Sequence, residues 1–117
     1  MSQKTPHNAT VVGLIGELGS GKTTFVQKFA KSYGVKETVI SPTFNIIKQY
    51  GNLVHIDAYR LKNAKELEKL GIQEIFSNPK NIVFIEWADR VRDILPEDTI
   101  TIRFEHVSKN KRKISID

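Results

Sequence analysis

The chain has 117 residues, of which 39% are hydrophobic and 26% charged, and its formal net charge is +5 at pH 7. The length predicts one small domain, and the composition excludes a disordered or fibrous chain. No apolar run approaches the roughly 20 residues that a membrane helix needs, and the absence of cysteine excludes disulfides and thiolate metal sites.

The first half of the chain alternates predicted strands and helices. Val11–Ile15 is a short apolar run that predicts a buried strand. Lys22–Tyr33 carries apolar residues at helical spacing, and Gly34 follows as a predicted C-cap. Thr38–Ile40 predicts a second strand, which Pro42 stops because proline cannot donate to a sheet.

The middle of the chain predicts a hairpin followed by a helix. Thr43–Tyr50 and Leu53–Tyr59 flank Gly51-Asn52, a two-residue link typical of a tight hairpin. Ala64–Leu70 predicts a short helix that Gly71 closes.

Strands return towards the C-terminus. Ile82–Ile85 is a second continuous apolar run, and Thr99–Phe104 alternates apolar and polar residues, as a strand with one wet face does. Ile114 and Ile116 are expected to pair back against it across a polar turn. Residues 1–117 are therefore predicted to form a single α/β domain, with a mixed, mostly parallel sheet flanked by helices and extended by antiparallel hairpins.

A phosphate-binding loop is predicted between the first strand and the first helix. Residues 16–23 match the pattern G-x-x-x-x-G-K-[ST] in the required strand–loop–helix context. Glycines let the backbone wrap around phosphates, and amides of the loop and helix N-terminus point towards the anion. Lys22 is expected to reach the β- and γ-phosphates, and the Thr23 hydroxyl to bind Mg²⁺. The predicted ligand is ATP with Mg²⁺, and the residues expected to bind it are Glu17, Leu18, Gly19, Ser20, Gly21, Lys22, Thr23 and Thr24.

Two acids follow predicted strands. Glu86 comes directly after Ile82–Ile85, where a P-loop protein places the carboxylate that holds Mg²⁺ or its water, so it is a predicted metal ligand. Asp57 ends the second hairpin strand, and it is predicted to orient the attacking water or to share the metal with Glu86. The alternative for Asp57 is a turn or helix-capping aspartate, and for the nearby Arg60 it is a surface ion pair.

Three further positions have weaker signals. Thr43 follows Ser41-Pro42 and is a candidate contact to the γ-phosphate, although this tripeptide is also typical of a plain turn. Trp87 directly follows Glu86, and it either stacks near the nucleotide or packs at the rim of the core. The histidines at 7, 55 and 106 lack metal-ligand spacing, so no catalytic role is predicted for them.

Five segments occur in order along the chain. They are Gly-Glu-Leu-Gly-Ser-Gly-Lys-Thr-Thr (16–24), Ser-Pro-Thr-Phe (41–44), His-Ile-Asp-Ala-Tyr-Arg-Leu (55–61), Glu-Leu-Glu-Lys-Leu-Gly (66–71) and Ile-Glu-Trp (85–87). This set resembles the TsaE family, small bacterial P-loop ATPases of tRNA threonylcarbamoyladenosine synthesis. The resemblance implies a cytoplasmic accessory ATPase that acts with the TsaD–TsaB complex, and through that complex on tRNA, without transferring the threonylcarbamoyl group itself.

The resemblance also implies roles for individual residues. Lys22 and Thr23 are then the phosphate and Mg²⁺ contacts, and Glu86 is the acid of the metal site. Asp57 is the second acid needed for hydrolysis, Thr43 belongs to a segment near the γ-phosphate, and Trp87 lies close to the nucleotide.

The chain departs from the family's pattern at its N-terminus. TsaE proteins usually carry about one strand and one helix before the P-loop strand, and part of that segment helps to hold the adenosine. Here the short polar segment Met1–Thr10 precedes it. Either Thr5–Thr10 lies across the base, or the base is held more loosely.

Two other functions remain open from the residues. A small nucleoside or metabolite kinase needs lid arginines, for which Arg90 and Arg92 are the candidates. A nucleotide-gated binding module would dock on a partner with negligible turnover. The basic cluster of Lys109, Lys111, Arg112 and Lys113 is interpreted as a solvated hairpin turn rather than a tRNA contact.

Overall fold

A computed structural model describes residues 9–17, 21–40, 46–108 and 111–116, without the side chains of residues 106 and 112. Within these ranges, one sheet has six strands. They are β1 (Thr10–Gly16), β2 (Ile47–Tyr50), β3 (Leu53–Asp57), β4 (Ile82–Glu86), β5 (Ile100–Ser108) and β6 (Lys111–Ile116). The helices are α1 (Lys22–Tyr33), α2 (Ala64–Glu68), α3 (Ile72–Phe76) and a 3₁₀ helix over Ala88–Ile94.

The sheet is mixed and mostly parallel, as predicted. Its order is β2-β3-β4-β1-β5-β6, in which the four inner strands are parallel and the two edge strands are antiparallel to their neighbours. Carboxyl ends of parallel strands meet at one edge of a sheet, where α/β proteins bind ligands. Glu86 at the end of β4 therefore lies between Asp57 of β3 and Leu14 of β1.

Apolar cores cover both faces of the sheet. Val83 and Ile85 of β4 face the core beneath α2, α3 and the 3₁₀ helix, whereas Phe84 between them faces α1. This alternation explains why the run 82–85 is apolar at every position. On the α1 side, Phe25 and Phe29 make edge-on ring contacts with Phe84 at centroid distances of 6.2 and 4.9 Å.

Helix α1 has the predicted bounds because glycine marks both of its ends. Gly21 before it and Gly34 after it have positive φ angles of 105° and 102°, a conformation that side chains with a Cβ disfavour. The Gly34 amide donates to the Lys31 carbonyl over 3.3 Å, which satisfies one of the last carbonyls of the helix.

The predicted strand over Thr38–Ile40 is wrong. Side chains rather than a neighbouring strand bind this backbone: Gln27 Nε2 donates to the Val39 carbonyl over 2.8 Å, and the Ile40 amide donates to the Tyr50 hydroxyl over 3.4 Å. Only Val39 is buried there. A segment that buries one side chain does not need a sheet partner.

The hairpin of β2 and β3 confirms the prediction around Gly51-Asn52. The second strand ends at Asp57 rather than Tyr59, and residues 43–45 of the predicted first strand lie outside the described residues. The predicted helix over Ala64–Leu70 ends at Glu68, and the short helix α3 was missed. Gly71 explains the error, because its φ of 88° interrupts the helical backbone between α2 and α3.

The C-terminal hairpin also confirms the prediction. Ile114 pairs with Phe104, and Ile116 pairs with Ile102. In the described part of the chain, no helix is long and apolar enough to cross a membrane.

Candidate functional site

The predicted phosphate-binding loop joins the end of β1 to the start of α1. Gly16 ends the strand, and Lys22 begins the helix. Leu18, Gly19 and Ser20 lie outside the described residues. Both ends of the loop have the location that the motif requires, at the carboxyl edge of the sheet and the N-terminus of a helix.

Lys22 is buried at the base of this loop, with a relative exposure of 4%. Its ammonium donates to the Gly16 carbonyl over 2.6 Å and to the Glu17 carbonyl over 3.0 Å. The same nitrogen lies 4.2 Å from the centroid of the Trp87 ring. Burial lowers the pKa of Lys22, and the carboxylates of Glu86, Asp57 and Asp89 oppose this shift.

Thr23 connects the first turn of α1 to the end of β4. Its hydroxyl donates to Glu86 Oε2 over 2.7 Å, although the two residues are 63 positions apart in sequence. Glu86 is itself buried, with 4% exposure. The structure thus brings together the two residues that were predicted to bind the metal. Thr24, which was predicted to contact the nucleotide, is exposed.

His55 also contacts Glu86, and the sequence prediction missed it. Its Nε2 lies 2.6 Å from Glu86 Oε2, and the side chain is fully buried. A signal was present in the sequence: residues two apart on a strand share a face, so His55 accompanies Asp57 towards α1. Metal-ligand spacing does not reveal His55, because its partner is a carboxylate 31 positions away in sequence.

Asp57 lies directly beside Glu86 in the register of β3 and β4. Its side chain is half-buried, and Oδ1 accepts a hydrogen bond from the Tyr59 amide over 2.9 Å. The residue therefore forms the aspartate turn that was the alternative interpretation, and it does so at the same edge as Glu86. Arg60 is exposed in the loop that follows.

Trp87 has a strained backbone at the end of β4. Its φ of 61° lies in the left-handed region, which costs a non-glycine residue roughly 1–3 kcal/mol and is concentrated at functional sites. Its ring packs against the Tyr59 ring at 5.0 Å, and the Arg90 guanidinium lies 5.8 Å from it. The Trp87 ring therefore contacts both the buried Lys22 ammonium and the exposed side chains of Tyr59 and Arg90.

Other predicted positions are less defined. Thr43 and Lys109 lie outside the described residues, and Lys111 and Lys113 are exposed on β6.

An open cleft of about 640 Å³ borders the end of β1 and is lined by residues that include Glu17, Trp87 and Arg103. Its volume is within the range of small-molecule sites.

The side chains at this site fit a magnesium ion that is bound partly by the protein and partly by phosphate. Among the described residues, no group of three histidine, cysteine or acidic side chains is arranged to hold a metal. Mg²⁺ does not need such a group, because it prefers oxygen ligands and usually binds one or two protein groups together with phosphates and water. The Thr23 hydroxyl and the Glu86 carboxylate supply two such oxygens.

Comparisons with known proteins agree on one family. The family described as "Threonylcarbamoyl adenosine biosynthesis protein TsaE" matches residues 1–114. The TsaE protein of Bacillus subtilis is 38% identical over 109 residues, which are 90% of this chain and 67% of that protein. The Rickettsia felis TsaE protein is 36% identical over 111 residues, which are 91% of this chain and 64% of that protein.

A solved structure extends the similarity to the fold. The crystal structure of YdiB from Bacillus subtilis has a TM-score of 0.73 and 32% sequence identity, over 94% of this chain and 68% of that one. The chain thus spans about two thirds of the length of these relatives. Matched along nearly all of its own length, it belongs to the TsaE family.

Proposed function

We propose that this protein binds ATP with Mg²⁺ and hydrolyses it as a cytoplasmic accessory subunit of tRNA threonylcarbamoyladenosine synthesis. Its proposed partner is the TsaD–TsaB complex, through which it acts on tRNA. Family membership supports the place in tRNA modification. The hydrogen bond between Thr23 and Glu86 carries the ATPase part of the proposal, because P-loop ATPases hold Mg²⁺ with a loop hydroxyl and a strand-end acid.

Lys22 and the loop bind the phosphates in this proposal. The Lys22 ammonium, which donates to the carbonyls of Gly16 and Glu17, is the group that we expect to bind the β- and γ-phosphates. The amides at the start of α1 add partial positive charge at the same point. The cleft beside Glu17 and Trp87 is the proposed location of the nucleoside.

Thr23 and Glu86 hold the metal ion. When bound, Mg²⁺ neutralises charge that develops on the phosphate oxygens during hydrolysis. The Thr23 hydroxyl already donates to Glu86, so its lone pairs remain available as a metal ligand while the hydrogen bond persists.

Asp57 orients the attacking water in this account. It lies one strand away from Glu86, at the same edge of the sheet, and its carboxylate is half-buried rather than enclosed. A carboxylate in that position accepts a hydrogen bond from water and directs the oxygen lone pair towards the phosphorus atom.

A reconstituted assay tests this proposal. ATP hydrolysis and threonylcarbamoyladenosine formation are measured with TsaD, TsaB, tRNA, ATP, Mg²⁺ and an activated threonylcarbamoyl donor, with and without this chain. Glu86→Gln and Asp57→Asn are expected to lower ATP hydrolysis at least about 100-fold, in the range of one lost electrostatic catalytic group. Asp93→Asn and Glu97→Gln are matched controls, because both acids are exposed. Full activity of the Glu86 or Asp57 variant, or tRNA modification that does not depend on this chain, would contradict the proposal.

A further inference from the structure

His55 is a buried polar residue to which the proposed reaction assigns no role. Its side chain has 0% exposure, and its Nε2 contacts Glu86 at 2.6 Å. Among the described residues, its other ring nitrogen, Nδ1, is buried without a hydrogen-bond partner. An unsatisfied buried polar atom costs stability, so packing alone does not explain a histidine at this position.

The strand pattern places His55 under the metal site. Leu53, His55 and Asp57 alternate along β3 and face α1, and His55 is paired with Phe84 on β4. Leu53 and Phe84 are buried in the apolar core on that side. The imidazole thus lies between an apolar core and the carboxylate of Glu86, at the boundary where the core ends and the site begins.

Two groups converge on one oxygen of Glu86. Thr23 Oγ1 and His55 Nε2 lie 2.7 and 2.6 Å from Oε2. An ionised carboxylate only accepts hydrogen bonds, so the imidazole donates from Nε2. Thr23 approaches from α1 and His55 from β3, and together they fix the carboxylate against rotation. A glutamate side chain otherwise loses considerable rotamer freedom when a metal binds.

From this geometry we infer that His55 is a positioning residue for the Mg²⁺–ATP complex: it orients the Glu86 carboxylate before the metal binds. This inference rests on the proposed function. His55 is not itself a metal ligand, because Mg²⁺ prefers oxygen and because Nε2 is occupied by Glu86. Loss of such an outer contact typically weakens metal binding 10–100-fold.

Two variants separate positioning from packing. His55→Leu keeps a side chain of similar size without a donor, and His55→Gln restores a nitrogen donor close to the position of Nε2. For each, the dissociation constant of ATP is measured by calorimetry in excess Mg²⁺ and in EDTA, and a thermal melt establishes that the variant is folded. His55→Asn, whose shorter amide does not reach Oε2, replaces the leucine variant if that protein does not fold.

The tightening of ATP binding by Mg²⁺, which is the ratio of the ATP dissociation constants in EDTA and in Mg²⁺, decides between positioning and packing. We expect His55→Leu to lose about tenfold of this tightening, with ATP binding in EDTA unchanged, and His55→Gln to retain most of it. A leucine variant that keeps the full Mg²⁺ effect would overturn the inference, and so would an equal loss in Mg²⁺ and in EDTA. Absence of Mg²⁺-dependent ATP binding in the unsubstituted protein would instead overturn the proposed function itself, and the inference with it.

Discussion

At the scale of single residues, the candidate site consists of polar side chains that are buried. Lys22 and Glu86 each have 4% exposure, and His55 has none. Burying charged groups costs free energy unless they are paired. Each of these side chains contacts another group at the same edge of the sheet, so none of the three is buried without a partner.

Lys22 is expected to release its proton at a lower pH than an ordinary lysine does. Burial lowers its pKa, so the folded protein binds this proton less tightly than the unfolded chain. The charged form therefore lowers stability at every pH below the pKa in the folded state, and the penalty fades as the pH rises from there towards about 10.4. Bound ATP should raise the pKa again, because the phosphates favour the ammonium form.

Titration of the lysine side chains by NMR tests this expectation, with Lys22→Arg used to assign the signal. In the nucleotide-free folded protein, the Lys22 signal should titrate at a lower pH than after unfolding in urea, because burial lowers the pKa of Lys22. Equal titration of Lys22 in the folded and unfolded states would contradict this lowered pKa.

Thr23 permits a test of the hydroxyl alone. Thr23→Val removes the donor to Glu86 at nearly constant volume, whereas Thr23→Ser keeps it. A hydrogen bond to a charged group contributes about 1.5–3 kcal/mol, so the valine variant should bind ATP at least about tenfold more weakly in Mg²⁺. In EDTA the two variants should bind alike. Equal ATP affinities of the valine and serine variants in Mg²⁺, measured by calorimetry, would contradict the proposed role of Thr23 as a metal ligand.

Part of the site was predictable from sequence, for specific reasons. The P-loop pattern locates Lys22 and Thr23 because its spacing is fixed by the shape of a phosphate. The location of Glu86 beside Thr23 was predictable because a charge directly after an apolar strand lies at the sheet edge. His55 was not found, because its role depends on a contact with a residue 31 positions away, and a single strand does not reveal its neighbour in the sheet.

At the scale of elements, the site depends on how closely β1 packs beneath the 3₁₀ helix. A Cβ atom at Gly13 would lie 2.9 Å from the Cβ of Ala88, closer than carbon atoms normally approach. The Trp87 amide donates to the Leu14 carbonyl over 2.9 Å, immediately beside this contact. The small size of Gly13 therefore sets the distance between the P-loop strand and the residues that follow Glu86.

Gly13→Ala should lower the free energy of unfolding by about 1–3 kcal/mol, the usual cost of overpacking. Ala88→Gly removes the atom with which the new Cβ collides, but it costs roughly 1 kcal/mol by itself in a helix. Chemical denaturation of both single variants and the double variant gives the coupling between them. In the double variant, the free energy of unfolding should fall by less than the sum of the two single losses. Strict additivity would show that the two residues are not in contact.

Whether a strand was predicted correctly depends on how many apolar side chains its segment buries. The runs 11–15 and 82–85 are covered on both faces, so their apolar pattern was sufficient. Thr38–Ile40 has a similar apolar appearance, yet Ile40 is 59% exposed. A three-residue pattern contains too little information to distinguish a strand from an extended loop that anchors one side chain.

At the scale of the whole molecule, the sheet order brings distant segments to one edge. Lys22 and Thr23 follow β1, Asp57 ends β3, and Glu86 ends β4, and these strands are neighbours in the sheet. A ligand bound there contacts elements from both halves of the chain. Binding should therefore stabilise the domain as a unit rather than one loop.

A thermal melt tests this coupling. With ATP and Mg²⁺ at about 100 times the dissociation constant, linkage predicts a gain of about 2.7 kcal/mol in the free energy of unfolding. For a domain of this size, the melting temperature should rise by roughly 10 °C or more. ATP that leaves the melting temperature of the unsubstituted protein unchanged at that concentration would contradict binding to the folded site.

Calorimetric titration of ATP in the presence of Mg²⁺ tests the central claim most directly. Unsubstituted protein, Lys22→Ala and Lys28→Ala are compared, since Lys28 is an exposed lysine of the same helix and controls for loss of positive charge. We predict that Lys22→Ala weakens ATP binding at least about tenfold, by removing a charge-assisted contact to phosphate, and that Lys28→Ala leaves it within about twofold. Equal ATP affinity of the Lys22→Ala and unsubstituted proteins would contradict a nucleotide site at this P-loop.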